Sequence, residues 1–236
     1  MIEVRDLDGL GHHKLDWLDS RFHFSFAEYY DPDRMGFGPL RVWNDDIIEP
    51  GTGFPMHPHR DMEIITYVRH GAISHEDSLG NKGRTEAGDI QVMSAGTGIV
   101  HSEYNLETND PTTLFQIWIE PNQYNVKPRW ENINLKNNSQ ESIEVLASGE
   151  EKYKNSDIPK IYQDASVIRI NGSQGLLNYK SSKNRHFYFV LSKGKILLDK
   201  TEINERDGVY INGINEINFE FKKTSELILI DIPINK

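Results

Sequence analysis

The chain has 236 residues, 37% of them hydrophobic, with a formal net charge of −10 and no cysteine. That length allows one large or two smaller domains with a sizeable core. The acidic balance excludes a cationic nucleic-acid stripe. The absence of cysteine excludes disulfides, thiolate zinc sites, iron–sulfur clusters and a cysteine nucleophile. Any metal must therefore be held by histidine, carboxylate or carbonyl. No apolar run is long enough to span a membrane, and Met1–Asp6 lacks the basic and apolar regions of a signal peptide. A soluble, cytoplasmic, monomeric protein with no nucleic-acid or membrane partner is expected.

In chain order, Phe22, Phe24 and Phe26 alternate as on a strand with one buried face. Asp31-Pro32-Asp33 signals a turn. Leu40–Ile48 reads as a strand closed by Pro50-Gly51. His12, His13 and His23 lack paired spacing with a second cluster and read as surface or packing residues. Glu63–Val68, Ala72–Asp77, Ile90–Met93 and Leu114–Ile119 read as short strands, with tight turns at Leu79–Gly83 and Glu86–Asp89. Residues 120–160 read as an irregular connection, marked by Pro121, Pro128, Pro159 and the polar run Lys136-Asn137-Asn138-Ser139-Gln140. The domains are expected at 1–125 and 126–236.

The second part repeats the rhythm. His186–Leu191, Ile196–Leu198, Val209–Ile211, Ile217–Phe221 and Leu227–Ile230 read as strands separated by glycine turns. Strand, glycine turn, strand and then an Asp/Gly turn occur in both halves, which reads as a degenerate duplication. The second copy has one histidine, His186, and no His-x-His.

Two pairs of candidate ligands stand out, His57/His59 and His101/Glu103. Side chains two apart on a strand share a face. If the two strands are neighbours, three imidazoles and a carboxylate converge, a set that suits a divalent transition metal. A lone His-x-His would read as two loop histidines; two pairs, each flanked by glycines, outweigh that reading. The fourth ligand stays open on spacing alone, because Glu63 has the parity to join His57 and His59. His70 abuts a turn glycine and reads as exposed. His75 shares parity with Ile73 and Asp77 and could face the interior, though a packing role weighs more. Phe54, Met56, Met93 and Ile117 read as interior lining, and Arg60 as a solvated charge.

Gly51, His57, His59 and Glu63 fit the first motif of the cupin superfamily. Gly88, Gly96, His101 and Asn105 fit the second in part, with Ser94 in place of its proline and two extra residues before His101. Those departures resemble one branch. Phe54-Pro55-Met56-His57-Pro58-His59-Arg60, His75–Asn81 and Met93–Glu103 are similar to the pirin family, as are Trp17–Ser20, Phe24–Phe26 and Tyr29–Pro32. The likeness is dense over residues 12–120 and weak beyond 130. It implies an all-β bicupin fold of two antiparallel β-barrels, only the N-terminal one carrying metal. It implies His57, His59, His101 and Glu103 as ligands of one divalent metal, iron first, with Cu, Ni, Mn, Co or Zn as alternatives. It also implies quercetin 2,3-dioxygenase activity on a flavonol and dioxygen, with loss of carbon monoxide and with Glu103 as the catalytic proton acceptor. A non-enzymatic, metal- or redox-responsive partner protein is the alternative.

Overall fold

The computed structural model describes residues 1–135, 141–182 and 184–234. In chain order the strands are β1 (Ile2–Arg5), β2 (Gly11–Lys14), β3 (Leu18–Phe22), β4 (Leu40–Ile48), β5 (Gly53–His59), β6 (Glu63–His70) and β7 (Ala72–Asp77). There follow β8 (Lys82–Glu86), β9 (Ile90–Ser94), β10 (Ile99–Tyr104), β11 (Thr112–Ile119), β12 (Arg129–Ile133), β13 (Ser142–Ser148) and β14 (Ser166–Gly172). The last are β15 (Gly175–Lys180), β16 (Arg185–Lys193), β17 (Lys195–Leu198), β18 (Thr201–Asn204), β19 (Gly208–Ile211), β20 (Glu216–Phe221) and β21 (Ser225–Pro233). Helix among these residues is limited to single 3-10 turns, and none is long and apolar enough to cross a membrane.

The chain forms two compact units. One comprises Gly11–Lys136 with Ile161–Gln163; the other comprises Met1–Leu10, Asn137–Lys160 and Asp164–Lys236. The contacts assign the first ten residues to the unit built mainly from the later chain, because β1 pairs with β19 (Ile2 opposite Ile211). A boundary after residue 125 does not express that exchange.

In the first unit a seven-stranded sheet, β12-β9-β6-β11-β4-β3-β2, packs on a four-stranded sheet, β5-β10-β7-β8. Leu18, Ile48, Val68 and Leu114 of the larger sheet meet Ile73 and Phe54 of the smaller in a common core. The second unit has the orders β1-β19-β16-β21-β14-β13 and β15-β20-β17-β18. Its order repeats that of the first unit, with β14 in the place of β4, β20 in that of β10 and β15 in that of β5. The duplication read from turn spacing is therefore present as topology. At the strands equivalent to the ligand-bearing pair, the second unit places Ile217, Phe219, Phe221, Leu177 and Tyr179 inward, all buried. Aromatic and aliphatic packing fills the interior at these strands, where the Tyr179 hydroxyl donates to the buried Asp231 at 2.6 Å.

Strand alternation sets which side chains enter the first unit. Asn44 and Asp46 of β4 share the inner face with Ile48, whereas Trp43 and Asp45 face outward into the packing beneath Phe115 and Arg69.

Several expectations are corrected. The strand through Phe22 stops there; the chain turns at Ala27, which has φ +50, and Phe26 bridges only to Tyr29. The stretch Lys82–Glu86, read as two glycine turns, is a strand between them. Residues 120–160 hold β12 and β13, while the polar run 136–140 lies outside the described residues. Met56 is 53% exposed, because its parity on β5 is opposite to that of His57, and Met93 and Ile117 are buried in packing away from the cavity.

The glycines of the motifs have a backbone reason. Gly51, Gly88 and Gly96 have φ of +70, +89 and +45. At Gly96 a Cβ would also stand 2.0 Å from the carbonyl oxygen of Val126, which accepts a hydrogen bond from the Thr97 amide. Gly96→Ala is expected to cost about 2 kcal/mol or more, from the left-handed backbone and the clash together. A lowered urea midpoint would show it, and an unchanged midpoint would refute it.

Candidate metal centre

β5 and β10 are antiparallel neighbours, with His101 opposite His57 and Ile99 opposite His59. The pairing shifts between His101 and Glu103, so that Glu103 lies opposite Phe54. β5 thus carries one extra residue, a β-bulge, and the proline at position 55 sits where a ladder donor is not required. On its other edge β10 meets β7 in unbroken register, His101 opposite Asp77 and Glu103 opposite His75.

The three histidine rings converge. Their centroids are 4.8 Å (His57–His59), 4.5 Å (His57–His101) and 4.9 Å (His59–His101) apart, and one nitrogen of each lies within 4.8 Å of the others. Burial, reinforced by the neighbouring histidines, pushes the His59 imidazole down to about 4 and that of His101 to about 3. Both rings are neutral at physiological pH, the form that binds metal.

Hydrogen bonds fix which nitrogen each ring offers. His57 Nδ1 lies 2.7 Å from the Pro55 carbonyl oxygen. A carbonyl only accepts, so Nδ1 carries the proton and Nε2 the lone pair. His101 is set by a longer chain. Burial pushes the Asp77 carboxyl up, but hydrogen bonds from Asn81 and His75 outweigh it and hold the group below the usual range. This carboxylate accepts from His75 Nε2 at 3.0 Å. With its proton on Nε2, His75 presents the Nδ1 lone pair to His101 Nδ1, 3.3 Å away. His101 must donate from Nδ1, leaving the lone pair on Nε2, a buried atom with no hydrogen-bond partner.

Glu103 is buried and groups with His101 and His75 rather than with His57 and His59. Its carboxylate is anchored by a row of polar side chains running across the inner face of the large sheet. Cross-strand register aligns Gln116, Thr66 and Gln91 on three neighbouring strands, and the line of polar residues continues beyond these anchors to Asn44 on one side and Asn132 on the other. Gln116 Nε2 donates to Glu103 Oε2 at 2.9 Å, and Gln91 Nε2 donates to Oε1. The Thr66 hydroxyl stands 3.3 Å from both Glu103 Oε1 and Gln116 Oε1, and its single proton serves one at a time. Oε2 thus keeps a lone pair uncommitted. Trp130 of β12 buttresses the arrangement. Its ring stacks on His75 at 4.6 Å and 9°, while Nε1 donates to Gln91 Oε1 at 3.1 Å.

Of the residues singled out from sequence, His57, His59 and His101 come together, and Glu103 and His75 adjoin them. Glu63 is buried elsewhere, accepting from Ser94 Oγ at 2.7 Å, and is in neither ligand group found among the described residues. Arg60 is exposed and donates to Asn125 at 2.8 Å. His70 is exposed. His12 pairs with Asp19, while His13 reaches the rim of the cavity, stacked on Phe22. Thr66, Gln91, Gln116 and Trp130 were not legible as site residues. The one available signal was inward parity on otherwise apolar strands.

Beside the histidines lies a cavity of about 330 Å³, walled by Trp17, Phe22, Phe26, Phe54, Ile64 and Trp118. Its size and apolar lining suit a small aromatic molecule. The donor set fits a transition metal: three convergent imidazoles, a buried unpartnered His101 Nε2, and a carboxylate oxygen with a spare lone pair.

Comparisons with known proteins place the chain among relatives of one family. The family model Pirin matches residues 4–119, and the model described as quercetinase C-terminal cupin domain matches residues 145–232. A pirin-like protein of Caulobacter vibrioides is 47% identical over 98% of this chain and 99% of its own length. A quercetin 2,3-dioxygenase of Escherichia coli K12 is 38% identical over 99% of both chains. The crystal structure of the bacterial pirin YhhW from Escherichia coli, in complex with nickel(II), superposes with a TM-score of 0.92 at 38% identity, covering 99% of each chain.

Two outcomes follow from the electrostatics. His75→Phe keeps a ring against Trp130 but releases the His101 tautomer. It should weaken zinc binding in calorimetry by roughly 10- to 100-fold; an unchanged affinity would mean that His75 only packs. The second concerns Asp46, a fully buried carboxyl that burial, then the charges of Asp45 and Glu103, push up to about 7 against the pull of Ser20. The unfolded chain ionises this group from about pH 4 and the fold only near 7, so stability falls as pH rises through that window. In metal-free protein the gain from Asp46→Asn should therefore be on the order of 3 kcal/mol larger at pH 8 than at pH 5. Equal gains at both pH values in urea titrations would contradict the assignment.

Proposed function

The chain belongs to the pirin family, and from that premise we propose that it is a metal-dependent dioxygenase opening the heterocyclic ring of a flavonol such as quercetin, with release of carbon monoxide. The observation that carries the reading is the inward-aimed, unpartnered Nε2 of His101 beside His57 and His59, at the floor of an aromatic-walled cavity. The nickel-bound relative and the relative named quercetin 2,3-dioxygenase support it.

His57, His59 and His101 would hold one divalent transition metal, with Glu103 as the fourth donor through Oε2. Such a metal supplies a Lewis-acidic position that acidifies a coordinated hydroxyl and admits dioxygen. The remaining work falls to the protein. Neutral His59 and His101 keep their lone pairs at cellular pH. The hydrogen bonds from Gln91, Gln116 and Thr66 hold the Glu103 carboxyl group in place, and Oε2 takes the proton of the flavonol 3-hydroxyl when that oxygen is not engaged as the fourth donor. Trp17, Phe22, Phe54 and Trp118 sandwich a flat ring system and exclude water.

The test is elemental analysis joined to quercetin consumption, dioxygen uptake and carbon monoxide release. His101→Ala should lose bound metal at least tenfold and lose turnover with it. A fully active, metal-bound His101→Ala protein would overturn the assignment. Native turnover no faster than that of the free metal would overturn the enzymatic reading and leave a metal-binding partner protein.

A further inference from the structure

The inner wall of the cavity carries polar groups that neither the metal set nor the anchoring of Glu103 uses. Ser20 of β3 and Asn44 and Asp46 of β4 line it, with the aromatic Phe22 of β3 directly across from Asn44. They lie on the β3 side of Gln116: Asn44 pairs with Gln116, and Asp46 pairs with both Leu114 and Ser20. Asp46 is 3% exposed and Asn44 is 4% exposed.

Both groups are costly as they stand. Neighbouring Asp45, on the opposite face, is paired with Arg69. Asp46 has no cation on it among the described residues; the Ser20 hydroxyl donates to its Oδ1. The Asn44 side-chain oxygen is buried with no hydrogen-bond partner. A buried amide oxygen without a donor costs about 1 to 3 kcal/mol, and a buried carboxyl without a cation costs more. An apolar pair at these positions would continue the packing of Leu18 and Ile48. Polar groups held at such cost in the wall of a cavity are suited to a ligand that satisfies them.

We propose that Ser20, Asn44 and Asp46 form a hydroxyl-binding locus that reads the phenolic hydroxyl groups of a polyhydroxylated aromatic substrate, at the end of the cavity formed by β3 and β4. The proposal rests on the dioxygenase reading for the orientation of that substrate, and it deepens that reading by assigning specificity. Asp46 Oδ2 accepts from one hydroxyl, and the Asn44 amide meets a second. The i, i+2 spacing places both on one face of β4, roughly 7 Å apart along the strand. An aromatic ligand without hydroxyl groups at that end leaves both unsatisfied, the arrangement that discriminates most sharply against a missing hydroxyl.

The experiment compares quercetin, with two hydroxyl groups on its pendant ring, with galangin, which has none. Binding to the metal-loaded protein is followed under argon by quenching of the fluorescence of the cavity residues Trp17 and Trp118, and turnover is measured separately in air. The native protein should bind quercetin about tenfold more tightly than galangin. Asp46→Ala and, independently, Asn44→Ala should each bring that ratio toward one while leaving galangin affinity within about twofold. Should Asp46→Ala fail to fold, Asn44→Ala alone decides. Equal native affinities, or a ratio that survives in the folded variants, would overturn the locus. Discrimination in binding without turnover of either flavonol would uphold the locus and overturn the dioxygenase reading. Turnover of both with equal KM, unaltered in the variants, would do the reverse.

Discussion

A carboxyl group buried between two sheets needs hydrogen-bond partners for both of its oxygens. The first unit meets that requirement at Glu103 with donors from three different strands of the opposing sheet: Gln116 of β11, Gln91 of β9 and Thr66 of β6. Because these strands are hydrogen-bonded neighbours, the donors are spaced by the ladder itself and need no loop to place them. The same bonds tie the small sheet to the large one at the level of the histidines. Preorganisation of the site and cohesion of the unit are here one interaction, and weakening it for either purpose weakens both.

How much of this was written legibly in the chain depended on periodicity. His57/His59 and His101/Glu103 share a face because strand side chains alternate, and motif glycines mark where the strands end, so convergence could be read from spacing. Glu63 obeyed the same parity and went elsewhere, to Ser94, because parity fixes a face but not the facing sheet. Thr66, Gln91 and Gln116 are single polar residues within apolar strands; alone, each looks like ordinary variation, and cross-strand register turns them into a row. Trp130 was hidden by context, since Pro121, Pro128 and the polar run after residue 135 made its strand look like a connection. Met56 stood within the motif and yet faces solvent, the alternate position on the strand that carries the ligands.

The second unit provides an internal control. It has the same strand order, and its β20 lies between β15 and β17 as β10 lies between β5 and β7. Where the first unit spends inward positions on imidazoles and amides, the second uses Phe219, Phe221, Leu177 and Ile217. Among the polar groups that the second unit does bury, Arg185 and Tyr179 are both bonded to Asp231. The first unit differs in carrying orphaned atoms, His101 Nε2 and Asn44 Oδ1, on residues that line one cavity.

The placement of β1 has a consequence for the order in which the chain can fold. Ile2 pairs with Ile211, and the Met1 amine donates to the Asn212 carbonyl oxygen at 2.7 Å. The strand synthesised earliest must wait for one of the last. By contrast, every strand of the first unit, from β2 to β12, is available once residue 133 has been made. Vectorial synthesis thus favours assembly of the histidine-bearing sheets while β1 is still unpaired, and the slow, long-range closure falls on the unit with no metal ligands to misplace.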